Sequence, residues 1–80
     1  MRSMSERLEE AARDNKPLTP REERDTSRAE MWVMDLWCDD GKVPREIADL
    51  YPLDGKEHKR SNADWRRILK FFYATAPGNY

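Results

Sequence analysis

Cysteine, glycine and histidine are scarce in this chain, with one, three and one respectively in 80 residues. Because Cys38 stands alone, no disulfide can form within the chain, and a reducing, cytoplasmic compartment is the expectation. The three glycines are scattered, which excludes a glycine-rich loop that cradles phosphate. His58 sits in a loop among lysines, and no histidine lies at motif spacing from Cys38. Nucleophile–base pairing therefore has no second member. The expectations are a surface histidine, a partly buried inert thiol, no enzyme activity, no cofactor and no metal. Long apolar runs are also missing: none reaches the roughly 18 residues of a membrane span. The opening "MRSMSERLEE" has no apolar stretch of the signal-peptide kind. No membrane partner is expected.

What is present is charge, and it is unevenly placed. Charged residues make up 39% of the chain and apolar ones 38%, with a net of −1, which argues against whole-molecule attraction to nucleic acid or acidic lipid. Residues 56–70 nevertheless carry six basic side chains against two acidic, a local +4, while residues 1–42 carry eight against eleven, a local −3. A chain this short buries only about 60–65% of its unfolded surface, so its apolar residues must be concentrated to make a core. From Ala29 to Tyr73 lie all three tryptophans and both phenylalanines. The expected organisation is a charged, weakly helical extension over 1–27 and a helical core domain over 28–80.

Patterning predicts a small, all-α fold of three or four helices. Ser3 and Glu6 form a capping-box pair ahead of "ERLEEAARD", whose apolar stripe (Met4, Leu8, Ala11, Ala12) is thin. Thr19, Pro20 and Glu22 supply an N-cap, an N1 proline and an N3 glutamate for a second helix, which Asp25-Thr26-Ser27 could interrupt or restart. In "RAEMWVMDLWC" the residues Ala29, Trp32, Val33 and Leu36 recur at helical spacing, while Met31, Met34 and Cys38 project from nearly the opposite side. Such a helix is either central in its own domain or has its second face covered by a partner. Gly41 suits the turn that closes it. Pro44 opens a short helix with Val43, Ile47, Leu50 and Tyr51 as its inward set, followed by a polar loop with an Asp54-Gly55 turn. Ser61 and Asp64 cap the last helix, in which Trp65, Ile68, Leu69 and Phe72 form the core stripe and Arg66, Arg67 and Lys70 face away. The chain then ends in a short hairpin or an extended tail.

Three surfaces follow as candidates. Lys59, Arg60, Arg66, Arg67 and Lys70 form a basic helix-and-loop patch able to contact nucleic-acid phosphates, or else simply a solvated face. Short helix, turn, capped basic helix is the broad order of a helix-turn-helix unit, although Pro52 to Arg60 exceed that motif's turn of about 3–4 residues. Met31, Met34 and Cys38 form a flexible apolar face suited to core or to a protein interface. Asp35, Asp39 and Asp40 gather carboxylates at a helix C-terminus, where the dipole disfavours them. They read as a hard-cation or basic-partner site, or as a solvated helix end.

The run "RAEMWVMDLWCDDGKVPREIADLY" followed by "ADWRRILKFFYATAPGNY" resembles the amino-terminal domain of some phage and prophage replication-associated proteins. The shared elements are Leu36-Trp37, Gly41-Lys42-Val43-Pro44, Ile47-Ala48, Trp65, Leu69 and Phe71-Phe72, with Pro77-Gly78 where a turn would fall. The resemblance covers about residues 29–80. It implies a winged-helix-like, mostly helical module with a nucleic-acid role and a phage or mobile-element origin. The combined expectation is a non-enzymatic binding module acting on nucleic acid through the basic face. The alternatives are a phage-type modulator docking on a protein complex and a structural homodimer.

Overall fold

The computed structural model describes residues 3–39, 41–76, 78 and 80. Four helices form: α1 (Met4–Arg13), α2 (Pro20–Cys38), α3 (Arg45–Leu50) and α4 (Asn62–Thr75). Among the described residues there is no strand, so the all-α expectation holds and the hairpin alternative has no counterpart there. The turn expected at Pro77-Gly78 lies partly outside the described residues.

Three of the four helix starts use the expected side-chain cap, while α3 begins after Pro44 without one. The Ser3 hydroxyl accepts the Glu6 amide at 3.2 Å, and the Ser61 hydroxyl accepts the Asp64 amide at 3.1 Å. At the head of α2 the capping box is reciprocal: Glu22 N–H donates to the Thr19 hydroxyl at 3.1 Å, and Thr19 N–H donates to the Glu22 carboxylate at 2.9 Å. α1 closes through Asn15 in the left-handed region (φ 49°), with Asn15 N–H bonding Ala12 O and Lys16 N–H bonding Ala11 O at 3.1 and 3.2 Å. This is the Schellman pattern, and asparagine tolerates that conformation better than most side chains.

α2 runs unbroken through Asp25-Thr26-Ser27. The Thr26 hydroxyl donates to Glu23 O at 2.6 Å within the helix, which satisfies it without opening the backbone. The boundary expected at 27/28 therefore falls inside one continuous helix. The first 27 residues are also less peripheral than expected, since they contribute buried Leu8 and buried Asp25.

α4 is the central element, and α1, α2 and α3 all pack against it. Ile68, Leu69 and Phe72 lie inside with Ala29, Trp32 and Val33 of α2, Ile47 of α3 and Leu8 of α1. Trp65, expected in the same stripe, is only half-buried. The Trp32 and Phe72 rings pack tilted at 59° with centroids 5.8 Å apart. Among the described residues no helix is long and apolar enough to cross a membrane.

Candidate functional site

The basic patch is the first candidate, and its geometry departs from expectation. Arg66 was expected to face solvent with Arg67 and Lys70; it is instead 2% exposed. Its guanidinium spans Glu22 with two bonds, Nε to Oε2 at 2.9 Å and Nη2 to Oε1 at 3.1 Å. The remaining donors reach the carbonyls of Pro17 (2.7 Å), Ala11 (3.4 Å) and Lys16. A bidentate fork and three carbonyls satisfy a group that is otherwise expensive to bury. The carbonyls of Ala11 and Lys16 lie at the C-terminal end of α1, where the helix dipole favours a cation. Arg66 is thus a clasp that ties the α1–α2 connection to α4. Its flank of α4 is covered because three helices surround that helix, where a single buried stripe would have left it wet.

The other predicted cations are divided. The Arg60 guanidinium stacks over the Tyr51 ring at 3.7 Å and lies 5.6 Å from the Trp65 centroid, while its Nε donates to Leu50 O at 2.9 Å. It fastens the 51–60 loop and is half-buried, not offered outward. Lys70 is ion-paired to Glu9 across the α1–α4 contact. Hydrogen bonding from Lys70, then its charge, holds the Glu9 carboxyl below its ordinary value. Arg67 pairs with Asp64 at 3.0 Å but keeps much of its side chain in water. Lys59 is exposed. Of the five expected phosphate contacts, Lys59 and Arg67 remain open to solvent.

Burial by itself would raise the Glu22 carboxyl, but bonds from Arg66 and the Thr19 amide, together with the Arg66 charge, bring it below its ordinary value of 4.5. A carboxyl lowered in the folded state contributes stability above its unfolded pKa and loses that contribution as pH falls through the folded one. The melting temperature should therefore hold between neutrality and about pH 5, then fall below 4.5. Glu22→Gln should start lower at neutral pH and show a shallower acid decline in a series of thermal melts.

Sequence reasoning missed a more deeply buried acid than Glu22, Asp25. It accepts the Tyr73 hydroxyl and lies 3.4 Å from Arg28 and 3.8 Å from Arg21. Burial, then the bond to Asp25, pushes the Tyr73 phenol well above its ordinary range. Local spacing offers only Arg21 and Arg28, while the Tyr73 partner is 48 residues away.

The α2 outer face is the second candidate. Met31 is 64% exposed, Cys38 is exposed and Met34 is half-buried. The expected partial burial of Cys38 is thus corrected, because Cys38 lies on the side of α2 that nothing in the described chain covers. Asp35 and Asp39 are exposed at the same end, with the Tyr80 hydroxyl donating to Asp35. Asp40 lies outside the described residues. Among the described residues no group of three or more His, Cys, Asp or Glu side chains is placed to hold a metal ion. His58 Nε2 lies 2.9 Å from the Asp54 carboxylate in the loop, where Asp54 also accepts the Lys56 amide.

A third feature is a cleft of about 670 Å³ over α4, walled by α1 on one side and α3 on the other. No family model, curated protein or solved structure matches the chain.

Proposed function

We propose that this chain is a non-enzymatic module that docks a protein partner on the outer face of α2. The observation that carries the reading is the contrast between Met31, 64% exposed, and its neighbours Trp32 and Val33, which are buried. The helix presents apolar side chains to both sides, and only one side is covered by its own fold. Met31, Met34 and Cys38 recur at i, i+3 and i+7, so they form a strip; methionine adapts readily to partner shape. Asp35 and Asp39 border that strip, which suits a partner presenting apolar side chains beside basic ones.

Nucleic-acid binding is supported less well, because Arg66 is committed to Glu22 and Arg60 to Tyr51 and Leu50. Such a role would rest on Lys59 and Arg67. A labelled-duplex titration at about 50 mM salt is expected to give only weak, non-specific affinity, on the order of 10⁻⁴–10⁻⁶ M. Submicromolar binding lost on Lys59→Glu and Arg67→Glu would restore the nucleic-acid reading.

Cys38 is the only thiol and lies on the proposed face, so a photocrosslinker attached there reports directly on docking. Crosslinked partner should fall at least tenfold with Met31→Glu, a surface change expected to alter stability by no more than about 0.5 kcal/mol. It should persist with Arg67→Glu. Crosslinking indifferent to Met31→Glu would remove the proposal. Sedimentation of the purified chain identifies the case in which the partner is a second copy.

A further inference from the structure

The exposed side of α2 carries opposite charges at its two ends. Arg24 and Arg28 stand on the amino-terminal half, Asp35 and Asp39 on the carboxy-terminal end, and all four are exposed. At about 100° per residue they fall on one flank of the strip formed by Met31, Met34 and Cys38. Arg24 and Asp39 have no side-chain partner among the described residues. Arg28 lies 3.4 Å from Asp25 yet keeps 51% of its side chain in water, and Tyr80 engages one oxygen of Asp35. Arg21, 3.8 Å from Asp25, adds a third cation to the amino-terminal end of that flank. The opposite flank holds Glu23 and Glu30, both exposed, with Glu30 beside the Tyr51 hydroxyl.

We propose that the partner of the α2 face is a second copy of this chain, its α2 lying antiparallel across the first; this rests on the reading of that face as a docking surface. The face calls for apolar side chains beside basic ones, and α2 itself presents both. Placing Met31 of one copy against Met34 of the other puts Ser27 against Cys38. In antiparallel helices like flanks meet, so this register brings Arg28 opposite Asp35 and Arg24 opposite Asp39. Each pairing occurs twice, because the twofold axis makes the interface self-complementary. On the other flank Glu30 faces Trp37, and opposite Glu23 the second helix has already ended, so no acid meets acid. A parallel pair would instead set Arg24 on Arg24 and Asp39 on Asp39; charge therefore selects the antiparallel one. The strip from Arg24 to Cys38 is about 21 Å long, which places the interface in the small, weak class below about 1,200 Å².

Sedimentation equilibrium of the purified chain between about 10 and 500 μM should show monomer–dimer exchange, the range that suits a small interface. Arg24→Glu should weaken self-association about tenfold, because two attractive pairs become repulsive, and Asp39→Lys should do the same. Both positions are exposed, so neither variant should melt far from the wild type. Mixing the two variants in equal amounts should restore the dimer. In the mixed pair the new acid meets the new lysine, and the retained Arg24 meets the retained Asp39. Ser27→Cys should form a covalent dimer with Cys38 of the other copy in glutathione buffer. The wild-type thiols, about 16 Å apart along the axis in this register, should not. A chain that stays monomeric throughout, a dimer indifferent to both charge variants, or a mixture no tighter than either variant alone would each overturn the proposal. So would wild-type disulfide dimers that form as readily as those of Ser27→Cys, the result expected of a parallel pair. Each of these leaves the α2 docking face standing wherever Met31→Glu still abolishes crosslinking from Cys38. Failure of that face shows instead as crosslinking indifferent to Met31→Glu.

Discussion

Arg66→Ala is expected to remove about 3–5 kcal/mol of folding stability, because it strands the half-buried Glu22 carboxylate and three backbone carbonyls together. An 80-residue domain has only roughly 4–12 kcal/mol in total, so the loss takes a large fraction of the whole. Denaturant unfolding followed by far-UV circular dichroism measures the loss. Arg66→Lys should recover part of it, since an ammonium keeps the charge but cannot match the carboxylate fork or reach all three carbonyls. Truncation costing less than about 1 kcal/mol, the surface-pair range, would mean that this guanidinium is solvated after all. The same variant separates the two roles considered for position 66, because a solvent-facing phosphate contact would alter binding and leave stability nearly unchanged.

Phe72→Ala carries the second large effect, about 3–5 kcal/mol. Its ring is 6% exposed, packs 5.8 Å from Trp32 and 5.7 Å from Tyr73, and lies beneath the Arg28 guanidinium at 5.9 Å. Little can collapse into the space, because the wall opposite is a tryptophan held by α2. Phe72→Leu keeps most of the apolar area and should lose mainly the ring–ring term, about 0.5–1.5 kcal/mol. Phe71→Ala, on the half-buried cleft side, should cost less than Phe72→Ala. If the two adjacent truncations prove equal in thermal and denaturant unfolding, the orientation of α4 described above is wrong.

The two positions also mark what could be read from the sequence. Phe72, with Ile68 and Leu69, follows from a 3.6-residue period, and Thr19-Pro20-Glu22 and Ser61-Asp64 announce helix starts by local chemistry alone. Arg66 does not follow from any of these. On a helical wheel it lies at the margin of the core stripe, and whether it is wet depends on α1, whose single strong apolar residue, Leu8, gave little warning that it would dock. The partner that makes its burial affordable in energy, Glu22, is 44 residues distant and already explained by its capping role. Asp25 is hidden from sequence for the same reason, its hydroxyl partner lying on another helix. The α2 outer strip was legible as a pattern in Met31, Met34 and Cys38, but not its exposure, since an apolar stripe reads the same whether a domain or a partner covers it. The cleft was not legible at all, because it is a property of how α1 and α3 stand apart on α4.

One carboxyl group serves two structures. Glu22 receives the N-cap amide of Thr19 with one oxygen and shares both with the guanidinium of Arg66. Aspartate would be one carbon short for this double duty, and glutamine would lose the charge, so drift at position 22 is tied to compensation at one neighbouring and one remote position. Lineages descended from this chain should therefore change 19, 22 and 66 together or not at all, even where the surrounding surface diverges freely.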